Sequence, residues 1–322
     1  MNLENAIANL TSIPVLAFAL GIIASRIKTD LSVSKGAFDS ISFVLLLAIG
    51  LKGGHALKET TFDNAVGPIM ATLGIGVLLP TLFFLGLKLV KPLANVDRGA
   101  IAAHYGSTSL VTFTAALVFL DSSKVSYEGI VTTLLVAMEI PGILIGVLLA
   151  KGGFSALRNR ELLREVLLGK TVLLLLGGVL LGYLGGGASY EKVKLLFVDA
   201  QPALLTLFLL TLGMKAGESL GYFKKLGAPL IAASIAFPLL GGALGVAIGT
   251  AVGLSVGGAT ALGVLSASAS YIAAPAAVSV ALPDAKQGVP IAMSLGITFP
   301  FNLTLGIPLY VLLAQFAATL FG

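Results

Sequence analysis

The residues best suited to chemistry in this chain stand in two polar interruptions of apolar sequence. One is Ser266-Ala-Ser-Ala-Ser-Tyr-Ile-Ala-Ala-Pro275 and the other is Gly106-Ser-Thr-Ser109. Serines at alternate positions followed by a proline do not suit a regular lipid-facing helix, because Pro275 lacks a backbone donor and crowds the carbonyl four residues back. In lipid, the backbone groups freed by such a break must be satisfied by protein, water or a ligand. Both stretches therefore read as unwound segments lining a cavity, each near the middle of an expected span. The second half-helices, beginning around Ser109 and at Pro275, would aim their N-termini at the midplane, where free N–H groups and partial positive charge suit a small anion. The hydroxyls of Ser107, Thr108, Ser109, Ser268 and Ser270 can add hydrogen bonds. The carbonyls that end the first half-helices, around Gly106 and Ala267, suit a hard cation such as Na+. The competing account is that these small residues only let helices pack closely.

Other ionisable residues fall inside apolar segments. Glu139, in Met138-Glu-Ile-Pro141, is placed near the centre of a span. An acid at that depth costs a few kcal/mol unless paired or hydrated. Its candidate roles are cation ligand, proton carrier or partner to a lysine, set against a neutral structural acid. Lys52 and Lys215 occupy equivalent positions near helix ends, where snorkelling accounts for them; a shared role near the anion is the alternative. His55 and Glu218 follow three residues later in each case and read as interfacial. His104 lies three residues before Ser107, close enough on a helix to share a face. That pair alone would be the start of a serine hydrolase site, but no orienting group or oxyanion motif accompanies it.

The elements that hold these residues are membrane spans. Of 322 residues, 57% are hydrophobic and 11% charged, with a mean hydropathy of +1.02; soluble domains carry about 25% charged residues. The absence of cysteine excludes disulfides, thiolate metal sites and cysteine nucleophiles, and two histidines are too few for a histidine-rich metal site. The opening Met-Asn-Leu-Glu-Asn lacks the basic start of a cleaved signal peptide, so the first span is expected to be retained. Ten spans fit the apolar pattern, at about 11–27, 38–58, 66–92, 99–119, 127–150, 170–188, 199–217, 227–252, 258–282 and 288–320. The last is expected to bend at Pro300 and Pro308. Fourteen Lys and Arg fall in one set of loops and four in the other, which puts the first set, including residues 151–169, in the cytoplasm and both termini outside. The net charge of +5 is scattered over these short loops, so nucleic acid is not an expected partner. Polar residues within 151–169 predict a short surface helix joining residues 1–150 to residues 170–322.

Five spans on each side of that linker give the two halves opposite orientation. The segment Leu47–Leu57 matches Leu210–Leu220 at 5 of 11 positions with an offset of 163. The same offset lays Ser107 on Ser270 and Asp121 on Asp284. The expected fold is thus all-α and polytopic, an inverted 5+5 repeat with two broken helices, an architecture of many secondary transporters.

Several segments, in this order and spacing, carry a resemblance: Ile49-Gly-Leu-Lys-Gly-Gly54, Gly106-Ser-Thr108, Ser123–Glu128, Glu139-Ile-Pro141, Leu212-Gly-Met214 and Ser266–Pro275. From about residue 13 to residue 320 the chain resembles the sodium-dependent bicarbonate permease (SbtA-type) family. The resemblance implies a core and a gate domain, a homotrimer in the cell membrane, and bicarbonate uptake coupled to Na+. It also implies substrate and ion sites at Gly106, Ser107, Thr108, Ser266, Ser268 and Ser270, and a PII-like regulatory partner. The chain departs from the resemblance in two places. Tyr271 stands where an aspartate expected to help hold Na+ is found, and the linker of residues 151–169 is much shorter. Ser266, Tyr271 and Glu139 are accordingly the candidate coupling residues. The leading expectation is a secondary transporter of a small anion, most readily bicarbonate with Na+, with no other cofactor. The alternatives are another small monovalent anion or carboxylate, proton-coupled through Glu139, and more remotely an intramembrane enzyme or a membrane scaffold or sensor.

Overall fold

In the computed structural model, residues 10–27, 30–58, 62–153, 158–219, 221 and 223–321 are described. Residues 1–9 and Gly322, on which the expected position of both termini bears, lie outside them, as do residues 154–157 of the linker. Where apolar residues run uninterrupted the chain is helical, since a helix satisfies every backbone group within itself. The helices are α1 (Ile13–Ile27), α2 (Lys35–Leu57), α3 (Phe62–Gly86), α4 (Asn95–Gly106), α5 (Leu110–Ser122), α6 (Val131–Lys151), α7 (Arg160–Leu168), α8 (Lys170–Leu184), α9 (Gly187–Lys194), α10 (Gln201–Ser219), α11 (Phe223–Ala251), α12 (Val256–Ala267), α13 (Ala273–Ala281), α14 (Gly288–Met293) and α15 (Ile307–Phe321). No strand occurs among the described residues.

Among the described residues, seven helical stretches are long and apolar enough to cross a bilayer: α2, α3, α4 with α5, α6, α9 with α10, α11, and α14 with α15. Helix α1 and the half-helix α12 are shorter, and α7 and α8 form a pair bent by 40°. Two expectations shift. The span expected at 199–217 begins earlier, because α9 runs through a π turn at Leu195–Asp199 into α10. The last span runs unbroken: π turns at Ser294–Thr298 and Asn302–Gly306 flank Phe299–Phe301, absorbing the hydrogen bond that Pro300 cannot make.

The helices pack as two groups. In one, α1 lies along α10 and α2 along α8, with α2 also touching α10. Small residues set the first two contacts. A Cβ on Gly213 would collide with the Phe18 carbonyl, and one on Gly54 with the Val179 carbonyl, the close approach that small residues allow between helices in lipid. In the other group α3, α4 and α6 pack together, and so do α11, α12 and α15. The linker helix α7 starts at Asn159, whose side chain accepts from the N–H groups of Glu161 and Leu162. It buries Leu162 and Val166 in a cluster with Ile143 and Val147 of α6 and Ala277 and Val278 of α13, so it docks beside the second broken helix.

Candidate functional site

The first break is three residues long, Ser107–Ser109, and the second five, Ser268–Ile272. The unwound part is thus narrower than the expected 266–275. Ser266 and Ala267 stay helical, as do Ala273–Pro275, and the second half-helix begins at Ala273, two residues before Pro275. Pro275 fits as the third helical residue because first-turn N–H groups have no intrahelical acceptor anyway. The first half-helices end at Gly106 and Ala267, where the sequence placed them.

The two breaks are built alike. Helices α4 and α12 are each 12 residues long, and each is followed by an extended serine: Ser107 at φ −91°, ψ 176° and Ser268 at φ −86°, ψ 162°. Before the breaks the matching offset is therefore 161, and after them, from Leu110 to Ala273, it is 163. This corrects the pairing of Ser107 with Ser270: the backbone geometry matches Ser107 with Ser268, while Ser109 and Ile272 each stand just before the second half-helix. The extra two residues of the second break had been absorbed in a single offset.

Each break satisfies the other. The Ser109 N–H donates to Ser268 Oγ at 2.9 Å, and the Ser268 hydroxyl donates to the Leu265 carbonyl. In return the Ser270 N–H donates to the His104 carbonyl at 2.8 Å. Ser109 Oγ caps α5 by accepting from the Thr112 N–H and itself donates to the Tyr271 hydroxyl at 3.1 Å. Ser270 Oγ accepts from the Ala274 N–H. The ends of the first half-helices are held from outside. Asn302 Nδ2 donates to the Ala267 carbonyl at 2.8 Å, while Tyr310 donates to the Pro238 carbonyl and to Asn302 Oδ1. One of the carbonyls read as a cation ligand is thus already occupied. At the other end, a Cβ on Gly142 would collide with the Gly106 carbonyl, so α6 presses directly on the first break. Asn302 has no counterpart among the residues singled out from the sequence. It is a lone amide in an apolar run, and only its burial marks it.

Thr108, Ser109, Glu139, Ser270 and Tyr271 line one cavity, together with Ser42, Leu110, Thr171 and Ala273. Its free volume is about 10 Å³, room for a single water. The Thr108 hydroxyl has no protein partner. Neither do the N–H groups of Leu110 and Ala273, the first helical residues of the second half-helices, among the described residues. These are unspent donors at two convergent helix starts, the arrangement that binds anions. Ser107 and Ser266 are buried with partnerless hydroxyls but lie off the cavity wall, and Ser268 is used in the cross-break bond. Tyr271 also sets its ring edge-on to Phe299, and Phe299 sets its own on Phe18 of α1, so the second break touches the other helix group through an aromatic chain.

The cavity opens to one side. Glu139, Thr171, Ile272 and Ala273 also line a neighbouring space of about 410 Å³, whose walls include Lys35, Asp39, Glu165 and Lys170. This is the α7 side. On the far side, about 25 Å further along α2, Lys52 reaches Asp121 Oδ2 at 3.0 Å and the Tyr127 hydroxyl at 2.6 Å. Lys52 is therefore an inter-group tie, which snorkelling alone does not describe. Burial, with Asp121 adding to it, pushes the Tyr127 phenol well above its usual range, so Tyr127 stays neutral. Lys215 sits 3.4 Å from the centre of the Phe38 ring, and His55 stacks on Tyr190. His104 is fully buried with both ring nitrogens unpartnered, and Ser107 Oγ is unpartnered too. They make no nucleophile–base hydrogen bond, which removes the hydrolase reading.

Against known families, residues 14–315 match the model of the Na+-dependent bicarbonate transporter superfamily. The chain belongs to that superfamily. It is a multi-pass membrane transporter, not an enzyme. No curated protein matches it.

Ser268→Ala should loosen the paired breaks, because it strips the acceptor from the buried Ser109 N–H. An orphaned buried donor costs about 1–3 kcal/mol. The melting temperature of the purified protein should fall, and a variant as stable as the wild type would show the bond to be dispensable.

Proposed function

We propose that this transporter carries bicarbonate together with Na+, binding the anion between the two helix breaks. The observation that carries the reading is the shared cavity at the breaks. The N-terminal turns of α5 and α13 meet there with unpartnered N–H donors at Leu110 and Ala273 and the free Thr108 hydroxyl, within a superfamily named for this substrate and ion. Thr108, Ser109 and Ser270 would contact the anion first. Ser107, Ser266 and the Gly106 carbonyl, buried behind the wall, are better placed for a cation than for the anion. At about 10 Å³ the cavity is too small for bicarbonate in this conformation, so exchange of the anion with the α7 side requires the two helix groups to separate there. The tie of Lys52 to Asp121 and Tyr127 closes the opposite side, which supports alternating access.

The ten-span inverted repeat gains support from paired contacts. Exchanging the halves turns α1 against α10 into α8 against α2, and turns the α3, α4 and α6 cluster into that of α11, α12 and α15. In this reading the α1, α2, α8 and α10 group is the gate and the rest the core. The homotrimer and the PII-like partner rest on the family resemblance.

Uptake of labelled bicarbonate into proteoliposomes, with and without an inward Na+ gradient, tests the function. Na+-stimulated uptake is expected, and no flux under either condition would refute it. Thr108→Val should weaken anion affinity about tenfold or more, the cost of one hydrogen bond to a charged group; wild-type affinity would remove Thr108 from the site.

Tyr271 offers a cation one neutral oxygen where an acid would neutralise charge, and its hydroxyl already accepts from Ser109. Na+ dependence should accordingly be weak, with half-saturation in the millimolar range or above. Tyr271→Asp should increase Na+-stimulated uptake. Strong saturable Na+ dependence in the wild type would overturn this.

The charge bias of the loops orients the α7 side toward the cytoplasm and both termini outside. A tag placed after Gly322 should then react with an impermeant reagent on intact cells. Labelling only after lysis would reverse the orientation.

A further inference from the structure

Glu139 is 3% exposed and has no hydrogen-bond partner among the described residues. None of the ion pairs among the described residues includes it. It nevertheless lines both the small cavity at the breaks and the larger one that leads to the α7 side. Its carboxyl thus stands between the anion-binding donors and the route to water. An unpaired carboxylate in a dry, low-dielectric setting is costly. A second negative charge in the same cavity makes it worse, since Coulomb repulsion at a few ångströms is far stronger there than in bulk water.

The surroundings offer nothing to offset it. At the mouth of the larger cavity, Lys35 and Asp39 of α2, Glu165 of α7 and Lys170 of α8 carry equal numbers of each sign, and Lys170 is bound to Asp39 at 3.1 Å. Helix α4 packs along α6 with His104 and Tyr105 in its inner part and Asp97 and Arg98 at its start. His104 lines neither cavity, so it lacks the aqueous route that Glu139 has. The Tyr271 hydroxyl is held by Ser109. Helices α12 and α13, and α3 over its described side chains, bring no charge to α6.

We propose that Glu139 is a proton-binding site linked to the anion site, such that the anion occupies the helix breaks only when Glu139 is protonated. Each bound anion is then accompanied by one proton on Glu139, exchanged with the water of the cavity on the α7 side. No covalent bond changes; the proton moves between water and one carboxylate oxygen. Because linkage is reciprocal, the anion raises the affinity of Glu139 for its proton as much as the proton raises the affinity for the anion. The sign follows. Anion binding is strongest at low pH and weakens as pH rises through the titration of Glu139, by up to about tenfold for each pH unit. The inference rests on the anion-transport reading above.

The test is titration calorimetry of the purified full-length protein with bicarbonate at fixed Na+, from about pH 7 to pH 9, in two buffers of different ionisation enthalpy, corrected for the ionisation of bicarbonate itself. In the wild type, Kd should rise with pH and the buffer difference should report about one proton taken up per anion. Glu139→Gln should bind with a Kd independent of pH and take up no proton, while Glu139→Asp should keep both effects and covers the case in which the amide folds poorly. Proton-free binding in the wild type would overturn the proposal, as would proton uptake that persists in Glu139→Gln. Loss in Glu139→Gln of a Na+ dependence, with no pH dependence in the wild type, would make Glu139 a cation ligand and also overturn it. A wild type with neither bicarbonate binding at any pH nor bicarbonate uptake would instead refute the anion reading itself, and so separates the two failures.

Discussion

Two broken helices can cross a membrane interior only if something else satisfies the backbone groups that each break sets free. Here each break does part of this for the other. The Ser109 N–H goes to Ser268 Oγ, and the Ser270 N–H goes to the His104 carbonyl. Neither segment has enough partners of its own, so neither could hold its shape without its counterpart. This mutual dependence fixes the distance between α5 and α13 and brings Leu110 and Ala273 to one cavity. The site is a by-product of the repair: donors left over after the breaks have satisfied each other are the ones available to a ligand.

The surrounding helices make that arrangement stiff. Asn302 and Tyr310 tie the end of α12 to α11, and Tyr105 shares a hydrogen bond with Thr298, which donates to the Ser234 carbonyl. Both Thr298 and Asn302 fall in π turns. The wider turn redirects side chains and leaves carbonyls less regularly paired, so Pro300 is better understood as the cause of two positioning residues than as a simple kink. The other helix group has few such ties. Its contacts run along glycine-lined faces, such as Gly21 against Gly213, and close packing without directional bonds permits rigid-body sliding more readily than a hydrogen-bonded frame does.

Much of this was legible in the sequence, because breaks in apolar runs are conspicuous. The ends at Gly106 and Ala267 and the start near Ser109 came out directly, since polar residues in lipid have few explanations. What was not legible depends on backbone geometry. A single offset of 163 hides the two extra residues of the second break and so pairs Ser107 with Ser270, whereas it is Ser268 that shares the extended conformation of Ser107. Pro275 suggests a helix start because proline favours the first position, yet the first turn tolerates it at the third, as here. For Lys52 the sequence offers only snorkelling or a role near the anion, because its partners, Asp121 and Tyr127, are 69 and 75 residues away. Asn302 gave no signal, since a lone amide does not announce which carbonyl it will meet.

The tie at Lys52 bears on why the molecule can change state. Lys52 and Asp121 are 25% and 53% exposed, and pairs as exposed as this one contribute at most about 1 kcal/mol. Such a contact, even reinforced by the Tyr127 hydroxyl, cannot lock the far side shut. It can only bias the balance. A transporter needs that weakness, because two conformations interconvert usefully only when they lie within a few kcal/mol of each other. A buried, fully hydrogen-bonded ion pair at the same place would hold one state too firmly for the small free energy of ligand binding to reverse. The strong interactions are accordingly kept inside the frame that carries the breaks, and the weak one lies between the two helix groups.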